Sequence, residues 1–380
     1  MALRILSAAA GAIIVALTLR SAIRTLVLPR AVPVVLTRIA AVIVRYLFLW
    51  RAKASRTFAD KDRALAALGP TIVLGLAVVW IILILAGYSL IYWSIEMGTA
   101  SSAVRQSGSS LFTLGYAAPN NRISTLLSFS QAGIGMGIVA LLIAYLPILY
   151  STFSERERAV ATIAVRAGSP PRGVEMLARF YVIGHWDELR TTFQEWEELF
   201  AGLEESHTTF AVLPLFRSPD PNRSWITAAG AVLDAASLRS SVVEGERDAA
   251  AEICIRAGFT SLRRIASVFG IPYDPDPDPR DPISITREEF DDACDELEEA
   301  GVALKSDRDQ AWRDFAGWRV NYDVVLIALA GLLVAPWAPW SSDRAMPILP
   351  PAIRTKRSVR RMTEWAERPA KNPGPVHPPD

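Results

Sequence analysis

The sequence predicts an all-α membrane protein built from a membrane half and a helical, charge-rich half. Two observations predict it. Residues 71–93 and 124–150 are long, apolar and free of charge, long enough to cross a bilayer as helices. Residues 154–370 carry most of the charge and show mainly helical periodicity. The composition, 51% hydrophobic and 21% charged, is too apolar for an ordinary soluble protein and too charged for a wholly embedded one. The 380 residues divide into an N-terminal membrane helix with a basic amphipathic linker (1–69), two spanning helices with a polar loop between them (70–153), a helical cytoplasmic domain (154–371) and a tail (372–380) whose composition predicts disorder.

Taken in order, residues 5–28 form a plausible first spanning helix. A cleaved signal peptide is the rival reading, but no small-x-small cleavage site follows. Residues 32–50 are apolar but interrupted by Arg38 and Arg45, which share one helical face. That pattern suits an amphipathic helix on the membrane surface, with a further spanning helix as the alternative. Residues 71–93 end in Tyr92 and Trp93, residue types of the interfacial belt. Residues 124–150 contain Gly133, Gly135, Gly137 and Pro147, which permit close packing or bending and make them hinge candidates. Basic residues crowd the stretch between Arg20 and Arg63, and Arg156 and Arg158 follow the last spanning segment. The positive-inside rule places both regions in the cytoplasm and the loop at 94–123 outside. The expected location is therefore the cell membrane, multi-pass, with a cytoplasmic C-terminal domain.

The loop holds the most informative residues. Residues 100–112 form a short helix, weakened by Gly108, and lead into Thr113-Leu114-Gly115-Tyr116-Ala117. Thr113 offers a hydroxyl and a carbonyl, and Gly115 permits a positive φ. The order of spanning helix, short polar loop with Thr-x-Gly-Tyr and spanning helix resembles the pore module of potassium channels over roughly residues 70–155. The chain is also similar to a group of bacterial, largely actinobacterial, membrane proteins assigned as potassium channels. The residues behind that similarity are Ser107 to Gly115, Tyr145-Leu146-Pro147-Ile148-Leu149-Tyr150 and Arg166-Ala167-Gly168-Ser169-Pro170-Pro171. The resemblance implies a two-helix plus re-entrant pore-loop module and a homotetramer. It also implies a selectivity filter formed by Thr113, Leu114, Gly115, Tyr116 and Ala117, whose carbonyls replace the hydration shell of a permeant potassium or other monovalent cation. Tyr116 would then pack sideways and hold the loop's diameter. Ala117 stands where the family's motif ends in glycine. A Cβ raises the cost of positive φ, so the outermost ion site is expected to be distorted or lost.

The second half shows helices near 155–166, 172–181, 186–204, 223–238, 246–268, 287–304 and 307–318. Thr286 and Glu289 form a capping box, and Gly301 is a helix stop. Tyr273 to Pro279 is a stiff acidic linker. Its aspartates lack the glycine and terminal acid of a calcium loop. His185, His207 and His377 have no partner at zinc-ligand spacing, and His207 reads as a satisfied helix-end residue. Cys254 and Cys294 read as free buried thiols. No Gly-x-Gly-x-x-Gly follows a strand, and no nucleophile elbow, P-loop or metalloprotease motif occurs, so no enzyme and no cofactor are expected. The tryptophans of this half suit core packing. Residues 324–336 are apolar but short, which favours a buried helix over a membrane contact. Arg354, Lys356, Arg357, Arg360 and Arg361 form a basic patch able to touch anionic lipid. The partners expected are thus the bilayer and further copies of the chain, with no nucleic acid. Two functional readings stand: a cation channel with an altered filter, and a non-conducting membrane-anchored interaction protein that keeps the pore-module fold.

Overall fold

A computed structural model describes residues 2–27, 35–52, 57–96 and 98–345. The basic patch at 354–361 and the tail at 372–380 lie outside the described residues. Every named element among the described residues is a helix, and the only strand-like pairing is the isolated bridge between Val243 and Leu304. The chain falls into two compact units, Met1–Leu47 with Leu68–Ser151 and Phe48–Ala67 with Thr152–Asp380. Residues 48–67, expected as part of an N-terminal linker, group with the second unit.

The first half of the chain forms α1 (Ala2–Leu26), α2 (Val35–Ala52), α3 (Phe58–Ala66), α4 (Leu68–Ile95), α5 (Ala100–Leu111) and α6 (Arg122–Ala167). Three helices are long and apolar enough to cross a membrane: α1, the run Phe58–Ile95 that contains α4, and α6. α2 is a helix that fails that test, and it buries Arg45 while exposing Ile43, Tyr46, Leu47 and Trp50.

α1 lies along α4 at a crossing that only small residues allow. A Cβ on Gly11 would meet the Gly87 carbonyl oxygen, and one on Gly87 would lie 2.8 Å from Val15 Cγ2. Close backbone approach of this kind is how apolar helices gain packing energy where lipid removes the hydrophobic driving force. Two hydrogen bonds fix the register: Ser7 Oγ donates to the Leu90 carbonyl (2.9 Å), and Trp80 Nε1 donates to Ser21 Oγ (3.1 Å). The core of this unit runs through Leu76, Trp80, Ile84, Tyr88 and Tyr92 of α4 to Ala103 and Leu111 of α5 and Ile138 of α6.

α6 is one helix of 46 residues, where the sequence predicts a break between the apolar run and residues 155–166. The change at Ser154 is one of polarity only. No glycine or proline lies between Ser151 and Arg166 to stop the helix, and the interior Pro147 does not end it.

The second unit contains α7 (Gly173–Val182), α8 (Glu188–Thr209), α9 (Trp225–Ser241), α10 (Ala249–Phe269), α11 (Arg287–Glu299), α12 (Arg308–Arg319) and α13 (Asp323–Leu333). α9 is its axis, buried from Trp225 through Leu238. Its small residues let other helices approach: Gly173 of α7 abuts Ala231 and Ala235, and Gly258 of α10 abuts Leu233. The capping box at Thr286 and Glu289 is present, and Gly301 (φ 92°) ends α11 at Glu299, short of the expected 304. α13 is apolar nearly all round and buried over most of its surface, with Val324 exposed near its start, as expected for residues 324–336. α12 and α13, bent by 53°, would pass as a broken span by length and composition. Burial of α13 among α9 and α10 accounts for its hydropathy instead. Cys254 and Cys294 are free and buried, and burial pushes the Cys294 thiol up to about 11.

Two arginines tie the segment Leu213–Arg217 to the parts of this unit that continue into α4 and α6. Arg156 is buried. It donates from Nη1 to the Leu213 carbonyl (3.1 Å) and from Nη2 to the Phe216 carbonyl (2.8 Å) and to Glu157 (2.8 Å). Arg217 pairs with Asp62 of α3 and donates to the Leu333 (2.7 Å) and Val334 (2.9 Å) carbonyls. His207, at the end of α8, sits 3.3 Å from Arg156 Nη1 and 3.0 Å from Ser206 Oγ, with its ring on Trp225. Burial and the Arg156 charge hold the imidazole well below its usual range.

Substituting Gly11 by Val should lower stability in detergent by roughly 1–3 kcal/mol, whereas Gly75→Ala, with nothing within 4 Å of the new Cβ, should leave the melting temperature unchanged. The buried histidine gives a pH signature. The unfolded ring takes up a proton near pH 6.5 and the folded ring does not, so the unfolded state binds more protons below that pH. Stability from this group is intact above about pH 6.5 and is lost as pH falls below it. The melting temperature of the full chain should therefore drop on acidification, and His207→Gln should make the drop smaller.

Candidate functional site

α5 is short and polar, yet its face of Gln106, Ser107 and Ser109 is buried. Buried hydroxyls and amides need partners, and both neighbouring helices supply them. Ser107 Oγ donates to the Leu85 carbonyl of α4 (2.8 Å) and accepts from Gln131 Nε2 of α6 (2.7 Å). Ser110 Oγ donates to Ser128 Oγ of α6 (3.0 Å), which also lies 3.2 Å from the Tyr92 hydroxyl of α4. Tyr88 OH and Ser130 Oγ are 2.8 Å apart. Ser124 Oγ and Gln131 Oε1 are buried without a partner among the described residues.

These contacts fix where α5 runs. Thr99 caps its first turn, accepting from the Ser102 N–H at 3.2 Å. Leu85, which holds Ser107, lies ten residues before the end of α4. The Leu111 carbonyl abuts Gly135, thirteen residues into α6. At 1.5 Å per residue these points are about 15 and 20 Å from the helix ends. The chain then comes back, and Asn120 Nδ2 donates to Glu96 Oε2 beside the end of α4 (3.1 Å).

The loop after α5 carries the residues singled out as a filter. Thr113 (φ 55°) and Gly115 (φ 72°) adopt left-handed backbone. Ala117 does not, so the expected cost of its Cβ does not arise there. The non-glycine residue in that region is Thr113, one position from the end of the helix cap. The Thr113 and Leu114 N–H groups donate to the Ser110 (3.2 Å) and Ser109 (2.9 Å) carbonyls, and the Ala117 N–H donates to Ser109 Oγ (3.0 Å). The Tyr116 ring folds back along its own helix, its hydroxyl donating to the Arg105 carbonyl (3.2 Å). Gln106, with its oxygen on Ser128 Oγ (3.1 Å), donates to the Ala117 (3.2 Å) and Ala118 (3.3 Å) carbonyls, the orientation in which both ends of its amide are satisfied. The carbonyls of Thr113, Leu114, Gly115 and Tyr116 accept from no donor among the described residues. The four residues are exposed in the single chain, Leu114 by 63% and Tyr116 by 55%.

The glycine candidates separate into two kinds. Gly135 is buried, and a Cβ there would collide with the Leu111 carbonyl; it is a packing position for α5. Gly133 and Gly137 have open space, and Pro147 is exposed on the same helix. α6 buries Ser124, Gln131, Gly135, Ile138, Tyr145 and Leu149 against its own chain and exposes Leu126, Phe129, Met136, Ile143 and Tyr150. Gly133 and Pro147 fall on the exposed stripe.

Sequence reasoning missed Gln106 and Ser128, and it named Ser109 within the loop segment without giving it a role. For Ser128 the signal was present: Ser124, Ser128 and Gln131 recur at helical spacing within an apolar run, which marks one polar face of α6. Among the described residues no group of three or more His, Cys, Asp and Glu is placed to hold a metal ion. Comparison with family models, curated proteins and solved structures finds no match to this chain.

Gly135→Ala should displace α5 and cost roughly 1–3 kcal/mol of thermal stability, while Gly133→Ala and Gly137→Ala should be tolerated, as measured by unfolding in detergent.

Proposed function

We propose that the protein is a multi-pass cell-membrane cation channel in which four copies place residues 113–117 around one axis. The observation that carries this reading is the set of four consecutive carbonyls, Thr113 to Tyr116, that have no donor among the described residues. They follow a short helix lodged between two apolar helices, whose last residue, Leu111, meets α6 about 20 Å from its start. Irregular backbone at that depth is tolerated only where it is buried in protein or lines a water-filled cavity. Carbonyl rings of this type coordinate dehydrated monovalent cations.

On this reading α5 is the re-entrant helix, α4 the outer helix and α6 the inner helix, with its exposed stripe turned to the pore or to neighbouring copies. The arginine bias supports an orientation with the loop outside and residues 154–371 in the cytoplasm. Potassium is the first cation to test, with weaker selectivity than a five-residue glycine-ended filter gives. The Ala117 carbonyl is engaged by Gln106 and so is withdrawn from the ion path.

The test is a reversal potential in planar bilayers with potassium on one side and sodium on the other. A value displaced from zero towards the potassium equilibrium potential is expected. Gly115→Ala should abolish it, because a Cβ at φ 72° costs roughly 1–2 kcal/mol per residue. Absence of current across voltage, pH and tension would overturn the channel reading in favour of a non-conducting interaction protein.

A further inference from the structure

Ser109 touches the loop twice. Its backbone carbonyl accepts from the Leu114 N–H (2.9 Å), and its side-chain hydroxyl accepts from the Ala117 N–H (3.0 Å). The residue is buried at 2% exposure, so neither bond competes freely with water. The only cis peptide bond among the described residues is Ser169-Pro170, so the units 113–114 and 116–117 are trans. In a trans peptide the N–H and the preceding C=O point in opposite directions. Turning the Leu114 N–H towards α5 therefore turns the Thr113 carbonyl away from it. Turning the Ala117 N–H towards α5 does the same to the Tyr116 carbonyl.

We propose that Ser109 is the positioning residue of the loop, aiming the Thr113 and Tyr116 carbonyls at the permeant cation. The assignment rests on the channel reading and goes beyond it by naming what sets the filter's geometry. It also gives Ala117 a physical account. A glycine at that position would orient the last peptide through positive φ. Here a side-chain hydrogen bond orients it, so an alanine with ordinary backbone suffices. Gln106 completes the arrangement by donating to the Ala117 and Ala118 carbonyls. The ion path thus ends at Tyr116.

The test compares Ser109→Ala with Ser101→Ala. Ser101 is a serine of the same helix whose side chain is exposed. Reconstituted Ser109→Ala should shift the potassium-to-sodium permeability ratio towards one, Ser101→Ala should keep the wild-type ratio, and Ser109→Thr should restore it. An unchanged ratio in Ser109→Ala, or equal shifts in both alanine variants, overturns the assignment. If Ser109→Ala does not assemble, Ser109→Cys decides, because a thiol is a weak acceptor. An intermediate ratio supports the role and a wild-type ratio overturns it. Amide exchange over residues 112–118 separates this proposal from the channel reading. If the wild type passes no current, the channel reading fails. Exchange at Ala117 about tenfold faster in Ser109→Ala would still show the hold, and equal exchange would refute it.

Discussion

The hydrogen bonds that α5 makes to both of its neighbours are the constraint on which the first unit depends. A helix of serines has little apolar surface with which to hold a place between α4 and α6. Each buried hydroxyl left without a partner would cost about 1–3 kcal/mol. Ser107 spans from the Leu85 carbonyl to Gln131, Ser110 and Gln106 meet at Ser128, and Ser109 is occupied by the loop. The same bonds set the depth of the helix, and the depth sets where residues 113–117 lie. Gly135 makes the arrangement sterically possible, since only a glycine admits the Leu111 carbonyl at that point of α6.

The second unit is organised around a different polar centre. Asp234 on α9 and Asp323 on α13 both pair with the buried Arg319, and Tyr322 OH donates to Asp234 at 3.0 Å. Burial raises the Asp234 carboxyl, and the Arg319 charge pulls it back down. The segment Leu213–Arg217 then holds Arg156 of α6 and Asp62 of α3 through adjoining residues.

The fold class, the long apolar helices and the helical second half follow from periodicity and hydropathy alone. Those signals are strong where a helix is uniformly apolar, as in α4, or periodic, as in α10 and α11. The continuity of α6 was hidden because a change from apolar to charged residues resembles a boundary, although nothing in Ser151–Arg166 breaks a helix. Arg45 on the inward side of α2 was hidden because side-chain burial depends on the neighbours and not on the helix's own stripe. At the loop, Thr113 to Tyr116 were recognisable as a motif, but the cost assigned to Ala117 was misplaced. Its backbone is outside the left-handed region, and its N–H donates to Ser109 Oγ, eight residues away, a contact that no local propensity encodes.

The proposed site is incomplete in one chain, because four carbonyls on a single loop cannot surround an ion. Subunit number is therefore the most direct test. Native mass spectrometry of the full-length protein in mild detergent should find four copies per particle. A particle of one or two copies would contradict the account.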